Sequence, residues 1–190
     1  MTTYETLLNA ALKVLEEDGE AQFSTRKVCA VANVTAPTLY HHFGSADGLL
    51  SAAMAEAFAQ FLESKRAAVP SADPVVVLRE GWNDYVRFAA ARPRLYAAMM
   101  SRVLDGADIP AVDQAFALLM ARITAVAAKG RLTPTVEAAA DLMWASANAA
   151  SMLHVTARLR KGAPPTATVL EQIREAALRS ILKSPKGRSS

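Results

Sequence analysis

At 190 residues, half of them apolar and only 6% aromatic, with a formal net charge of +3, the chain is long enough for one sizeable domain or two small ones sharing a core. Abundant Ala, sparse Gly and the absence of alternating β-branched runs predict an all-α protein of about nine helices. A single Cys excludes an internal disulfide, MTTYETLL lacks the pattern of a secretory leader, and no apolar run spans a bilayer without a charge, so the expected protein is soluble and cytoplasmic.

The first helix is expected from about Tyr4 to Asp18, with Leu7, Leu8, Ala11, Leu12 and Leu15 on one stripe and Gly19 ending it. Ser24 then caps a short helix, Thr25 to Ala32, whose Val28, Ala30 and Val31 supply apolar contacts. Asn33 follows the last helical residue, where it tolerates the left-handed conformation a turn demands. Thr35 caps the next helix, about Ala36 to Phe43, and Pro37 sits in its first turn, where a missing N–H costs nothing. That helix is about 12 Å long, enough to present one or two turns to base edges. Its small, polar and aromatic residues suit a DNA groove better than a core. Gly44 ends it, and Ser45 caps the following helix.

From Ser45 to about Ala67, Leu49, Leu50, Ala53, Met54, Ala57, Phe58, Phe61 and Leu62 form one long apolar face. Val69 to Pro74 reads as a linker. Four more helices follow at about Val75–Ala91, Arg94–Leu104, Ala111–Ala128 and Pro134–Arg160, the last capped by Thr133. A break at Gly162-Ala163-Pro164-Pro165 precedes the last helix, about Thr168 to Leu182, and the basic tail Lys183–Ser190 reads as a frayed end.

The segment Ser24 to Leu50 resembles the helix-turn-helix head of TetR-family transcriptional regulators. The residues that carry the likeness are Thr25-Arg26 opening the first helix, the turn Asn33-Val34-Thr35, and Leu39-Tyr40-His41-His42-Phe43 closing the second. It covers about a quarter of the chain. Asn33 replaces the family's usual turn Gly, and Ala46 stands where the family usually has a phosphate-reaching Lys. The resemblance implies a DNA-binding domain over residues 1–45 and an effector-binding and dimerisation domain over 46–190, with helix 4 (about 46–67) as connector. It implies further that Thr25 and Arg26 approach the operator, that Thr35, Pro37 and Thr38 face bases, that Tyr40 and His42 reach phosphates, and that His41 adds a base or backbone contact. A homodimer through helices 8 and 9 follows, placing two recognition helices on a two-fold symmetric operator.

Charge qualifies that picture. Residues 1–50 hold three basic side chains (Lys13, Arg26, Lys27) against six acidic ones. Phosphate neutralisation dominates non-specific affinity, so this head should bind non-specific DNA weakly, with a shallow slope of log affinity against log salt. A steep slope in a salt titration would refute that.

In the second half, Trp82, Tyr85, Phe88, Tyr96, Met99, Phe116, Met120 and Trp144 gather large side chains on helices 5 to 8. Individually such residues are ordinarily core; by the resemblance they surround an effector cavity, and Met suits a site for varied apolar ligands. No basic cluster stands among them, so a small hydrophobic or aromatic effector is expected rather than a highly anionic one. Asn148 and His154 are the polar residues of an Ala-rich helix, and each should either hydrogen-bond a neighbouring helix or orient a ligand. No phosphate loop, HExxH or CxxC is present, and Ser151 and His154 have no carboxylate at triad spacing, so neither an enzyme nor a metal or cofactor site is expected. The competing reading is a helical small-molecule sequestering protein that has lost DNA binding.

Overall fold

A computed structural model describes residues 1–66, 71–106, 109–159 and 162–183. Among these, nine α-helices follow one another: α1 (Thr3–Asp18), α2 (Thr25–Ala32), α3 (Ala36–Phe43), α4 (Ala46–Arg66), α5 (Pro74–Ala91), α6 (Pro93–Leu104), α7 (Pro110–Ala128), α8 (Val136–Leu159) and α9 (Ala167–Ile181). The expected linker at 69–70, residues 107–108 of the loop before α7, and the tail beyond 183 lie outside the described residues.

Packing divides the chain into two compact units, Met1–Glu63 with Ala91–Val112, and Ser64–Ala90 with Asp113–Ser190. The first unit therefore takes in most of α4 and all of α6 along with the head, whereas the boundary expected from sequence fell at 45/46. In this unit α1 is the organising helix. A capping box opens it: the Thr2 hydroxyl accepts from Glu5 N–H at 3.2 Å, and Thr2 N–H donates to Glu5 Oε2 at 2.7 Å. Leu7, Ala11 and Leu15 are fully buried, and α1 packs on both α2 and α6. Burying each such Leu is worth about 1.5–3 kcal/mol. α6 contributes Leu95, Tyr96 and Met99, all essentially buried. Two arginines hold it in place: Arg92 reaches Glu16 at 2.9 Å and Gln60 at 2.7 Å, and Arg102 lies 3.7 Å from both Glu20 and Asp47.

The second unit is built around one core of Val75, Leu78, Trp82 and Val86 of α5, Ile123 and Val126 of α7, Met143, Ala147 and Ala150 of α8, and Leu178 and Ile181 of α9. Alanines on α8 permit close approach, and α8 and α9 lie against one another. Thr133 does not cap α8. Its N–H instead donates to Ile181 O at 2.8 Å while Lys183 N–H donates to Arg131 O at 2.9 Å, an antiparallel bridge of Leu132 with Leu182. The cap passes to Thr135, whose hydroxyl accepts from Ala138 N–H at 3.3 Å, and Pro134 stays outside the helix. α7 is the one described helix long and apolar enough to cross a membrane, with Asp113 and Arg122 interrupting it and Ile123 and Val126 packed in the core.

Glu175 joins α9 to α5. Its carboxylate accepts from Arg79 Nε at 3.1 Å and Arg174 Nε at 3.0 Å, and these hydrogen bonds hold its pKa below the usual 4.5. A depressed folded-state pKa means the contribution is complete above pH 4.5 and is lost as pH falls through the folded value. Glu175→Gln should cost about 1 kcal/mol at pH 7, a figure reduced for partial exposure, and progressively less below pH 4.5. Urea unfolding of both proteins at neutral and acid pH measures this; a pH-independent difference would contradict it.

Candidate nucleic-acid interface and effector region

The helix-turn-helix is held by local chemistry. Ser24 Oγ accepts from Lys27 N–H at 3.3 Å to open α2. Asn33 adopts φ 54°, ψ 48°, the left-handed conformation the turn needs, and Val34 N–H returns to Cys29 O at 3.1 Å. Gly44 has φ 72° with open space around its α-carbon, so its requirement is backbone conformation alone. Ser45 Oγ accepts from Gly48 N–H at 2.9 Å to start α4. Thr35 departs from expectation. It stands at the N-cap position of α3, but its hydroxyl pairs with that of Thr38 at 2.9 Å rather than with a backbone N–H. A second hydroxyl one turn on competes successfully for it.

Only Leu39 of α3 is buried; Pro37, Tyr40, His41 and His42 are exposed and Thr38 is half-buried. In α2, Val28 is buried, while Ala30 and Val31, expected to supply apolar contacts, are exposed. Arg26 is exposed and Thr25 half-buried. Lys27 is engaged by Asp18 at 3.1 Å. Thr25, Arg26, Thr35, Pro37, Thr38, Tyr40, His41 and His42 thus all belong to the first unit, at or near its surface. Tyr4, not singled out from sequence, stacks on Phe43 with centroids 4.8 Å apart and meets His42 edge-on at 6.2 Å. It ties the start of α1 to the end of α3. The first unit carries six basic and ten acidic side chains, so folding α6 against the head does not reverse its negative balance.

The residues expected around an effector separate. Tyr96 and Met99 are buried in the first unit, and the others belong to the second. There Tyr85 Oη donates to Asn148 Oδ1 at 2.7 Å and Asn148 Nδ2 to Trp144 O at 3.0 Å. Trp82 is in the core, its Nε1–H donating to Ser146 Oγ at 3.0 Å. Phe88 and Met120 are half-buried, whereas Phe116 and Trp144 are 38% and 46% exposed. Arg122 of α7 qualifies the expectation of an uncharged surround. Its guanidinium lies against Gly81, where a β-carbon would collide with Nη1, and burial lowers its pKa against the opposing pull of Asp84.

A groove of about 520 Å³ opens between α5, the His154 turn of α8 and the start of α9. Trp82 is the only residue of the expected effector set in its lining, which also includes Asn83, Val86, His154, Leu170 and Arg174. His154 Nε2 is buried without a hydrogen-bond partner among the described residues, so of the two expected alternatives that atom does not make the bond to a neighbouring helix. Nothing in its sequence context distinguishes that atom from a satisfied one. No group of three or more potential metal ligands occurs among the described residues.

The comparisons agree with this architecture. Residues 7–53 match the bacterial regulatory proteins of the tetR family, and residues 78–177 match the tetracyclin repressor-like C-terminal domain. A protein of unknown function from Rhodococcus sp. RHA1 is 23% identical with a TM-score of 0.81, covering 96% of this chain and 97% of that one. A TetR-family transcriptional regulator from Pectobacterium atrosepticum is 26% identical with a TM-score of 0.74, over 97% and 96% of the two chains. A TetR transcription regulator from Haloarcula marismortui shares the fold at 18% identity and a TM-score of 0.75, over 95% and 98%. No curated protein sequence matches the chain. With a helix-turn-helix exposed in its first unit and family matches over both its head and more than half of its length, the chain belongs to the TetR family of bacterial transcriptional regulators, which bind DNA and are not enzymes.

Proposed function

We propose that the protein is a ligand-responsive repressor that sits as a homodimer on a palindromic operator and is released by a small, largely apolar effector. The observation that carries the reading is the make-up of α3: one buried residue, Leu39, anchors a helix whose remaining side chains are exposed or half-buried. A helix so lightly buried contributes little to a core, and its outward residues fit a groove-reading role. In this reading Thr35, Pro37 and Thr38 meet base edges, Thr25 and Arg26 approach from α2, and Tyr40, His41 and His42 work at the phosphates and the groove rim. Pro37 offers apolar contact only, for instance with a thymine methyl. Direct readout is then modest, and the spacing of two heads in the dimer adds specificity.

Dimerisation through α8 and α9 is supported by what those helices leave uncovered. Leu142, Met152 and Leu153 of α8 are between 37% and 45% exposed, as is Val169 of α9 at 40%. The α8 side chains share one stripe with Ala138, Ala145 and Ala149, all exposed, and the small residues allow close helix approach. For the effector, the proposed wall lies within the second unit, at Trp82, Tyr85, Phe88, Phe116, Met120, Trp144 and Asn148, with the Tyr85–Asn148 hydrogen bond as its polar element. Release requires the effector to bind the DNA-free state more tightly than the DNA-bound one, by as much as it shifts the equilibrium.

Footprinting and fluorescence anisotropy on the DNA flanking the protein's own gene test this. Protection of a palindrome at physiological salt, relieved by an apolar compound, is the expected result. A well-folded dimer that protects no site would favour the sequestering protein instead.

A further inference from the structure

The end of α3 carries an inference that rests on the proposed phosphate contact of His42. A histidine exposed on the last turn of a helix can swing about two side-chain torsions, and fixing it on DNA costs entropy. Here the swing is restricted. The His42 imidazole stands among His41, Phe43 and Tyr4, with centroids 5.4, 6.3 and 6.2 Å away and the rings inclined to it at 67°, 63° and 76°. Such near-perpendicular pairs gain more than the area they bury.

His41 and Phe43 are neighbours on α3 and turn with it. Tyr4 comes from the first turn of α1. It lies flat on Phe43, with centroids 4.8 Å apart at 22°, and meets His42 at the same time, so that one ring braces both. Its own place is fixed, because the Thr2–Glu5 capping box closes around it and the fully buried Leu7 anchors the next turn. Tyr4 is itself 41% exposed, so the ring adds little to the core. What it touches is the end of the recognition helix. An imidazole held in one orientation presents the same N–H to a phosphate oxygen at every encounter.

We propose that Tyr4 is a positioning residue for operator binding, its ring holding the His42 imidazole in the orientation that meets a phosphate while its hydroxyl takes no part.

The chain has three histidines, His41, His42 and His154, and the last lies in the second unit. In the DNA-free full chain, the His42 ring-proton resonances should move toward those of a solvated imidazole in Tyr4→Leu and stay in place in Tyr4→Phe, which keeps the ring. His154 should move in neither. Affinity is then read by anisotropy on the duplex that the wild-type chain selects from a random-sequence pool. Tyr4→Leu should weaken binding about tenfold, the size of leaving one side chain per half-site to be ordered on DNA, and Tyr4→Phe less than about twofold. With His42 already replaced by Ala, Tyr4→Leu should cost less than about twofold more. Equal Tyr4→Leu losses with and without His42 would overturn the proposal, since Tyr4 would then support α3 as a whole. A Tyr4→Phe as weak as Tyr4→Leu would do the same by making the hydroxyl the contact. Should His42→Ala alone leave affinity intact, the phosphate reading of His42 falls and this proposal falls with it. In the wild type itself, three-bond couplings should report one dominant His42 rotamer, and averaged couplings would overturn the bracing even where Tyr4→Leu folds poorly.

Discussion

Tyr40→Ala weakens operator binding about a hundredfold while leaving the unfolding transition nearly unmoved. Tyr40 is 45% exposed, so truncating it removes little packing, and Leu39, fully buried beside it, still anchors α3. What is lost is an aromatic hydroxyl at the end of the recognition helix, in the position proposed to reach a phosphate. A contact of that kind is worth on the order of 1–1.5 kcal/mol, and a symmetric dimer loses it twice, which gives the factor of about a hundred. Ala46 increases the dependence, because no lysine stands there to make a neighbouring backbone contact. Tyr40→Phe separates hydroxyl from ring, and anisotropy titrations of both variants at one salt concentration decide the matter. Full affinity in Tyr40→Phe would assign the effect to the ring's support of the helix end, where Tyr4, His42 and Phe43 already stack.

The contrast between neighbouring residues explains how far the sequence could be read. Ser24, Asn33, Gly44 and Ser45 behave as their chemistry dictates because caps and turns are settled within four residues of chain. Thr35 was legible as the start of α3 but not in its hydrogen bond, since Thr38 offered a competing partner at the same range. Thr133 failed for a longer-range reason. Its N–H is claimed by Ile181, nearly fifty residues on, and no local pattern announces a two-residue bridge. The same limit applies to α6, whose arginines complete the first unit by reaching Glu16, Glu20, Asp47 and Gln60 in earlier helices. Periodicity told which face of each helix was apolar. It did not tell which helix would cover that face, and therefore not that Tyr96 and Trp144, alike in sequence terms, end in such different surroundings.

That difference gives the second large effect. Tyr96 is 1% exposed in the first unit, and Tyr96→Ala should cost about 3–5 kcal/mol, the usual range for emptying a buried aromatic site. A domain typically holds about 5–15 kcal/mol in all, so the head would be left marginal and DNA binding would fall with it. Trp144 is 46% exposed, and the group it lends to Asn148 is a backbone carbonyl that alanine retains. Trp144→Ala should therefore cost under about 1 kcal/mol and act, if the effector reading holds, on ligand response rather than on stability. Urea unfolding followed by circular dichroism, with anisotropy on the same samples, separates the two. Equal and large losses would mean that Trp144 is covered in solution, as it would be if a second copy packed along α8. Trp144 would then belong to the dimer interface, and the ligand wall would have to be drawn from Tyr85, Phe88 and Met120.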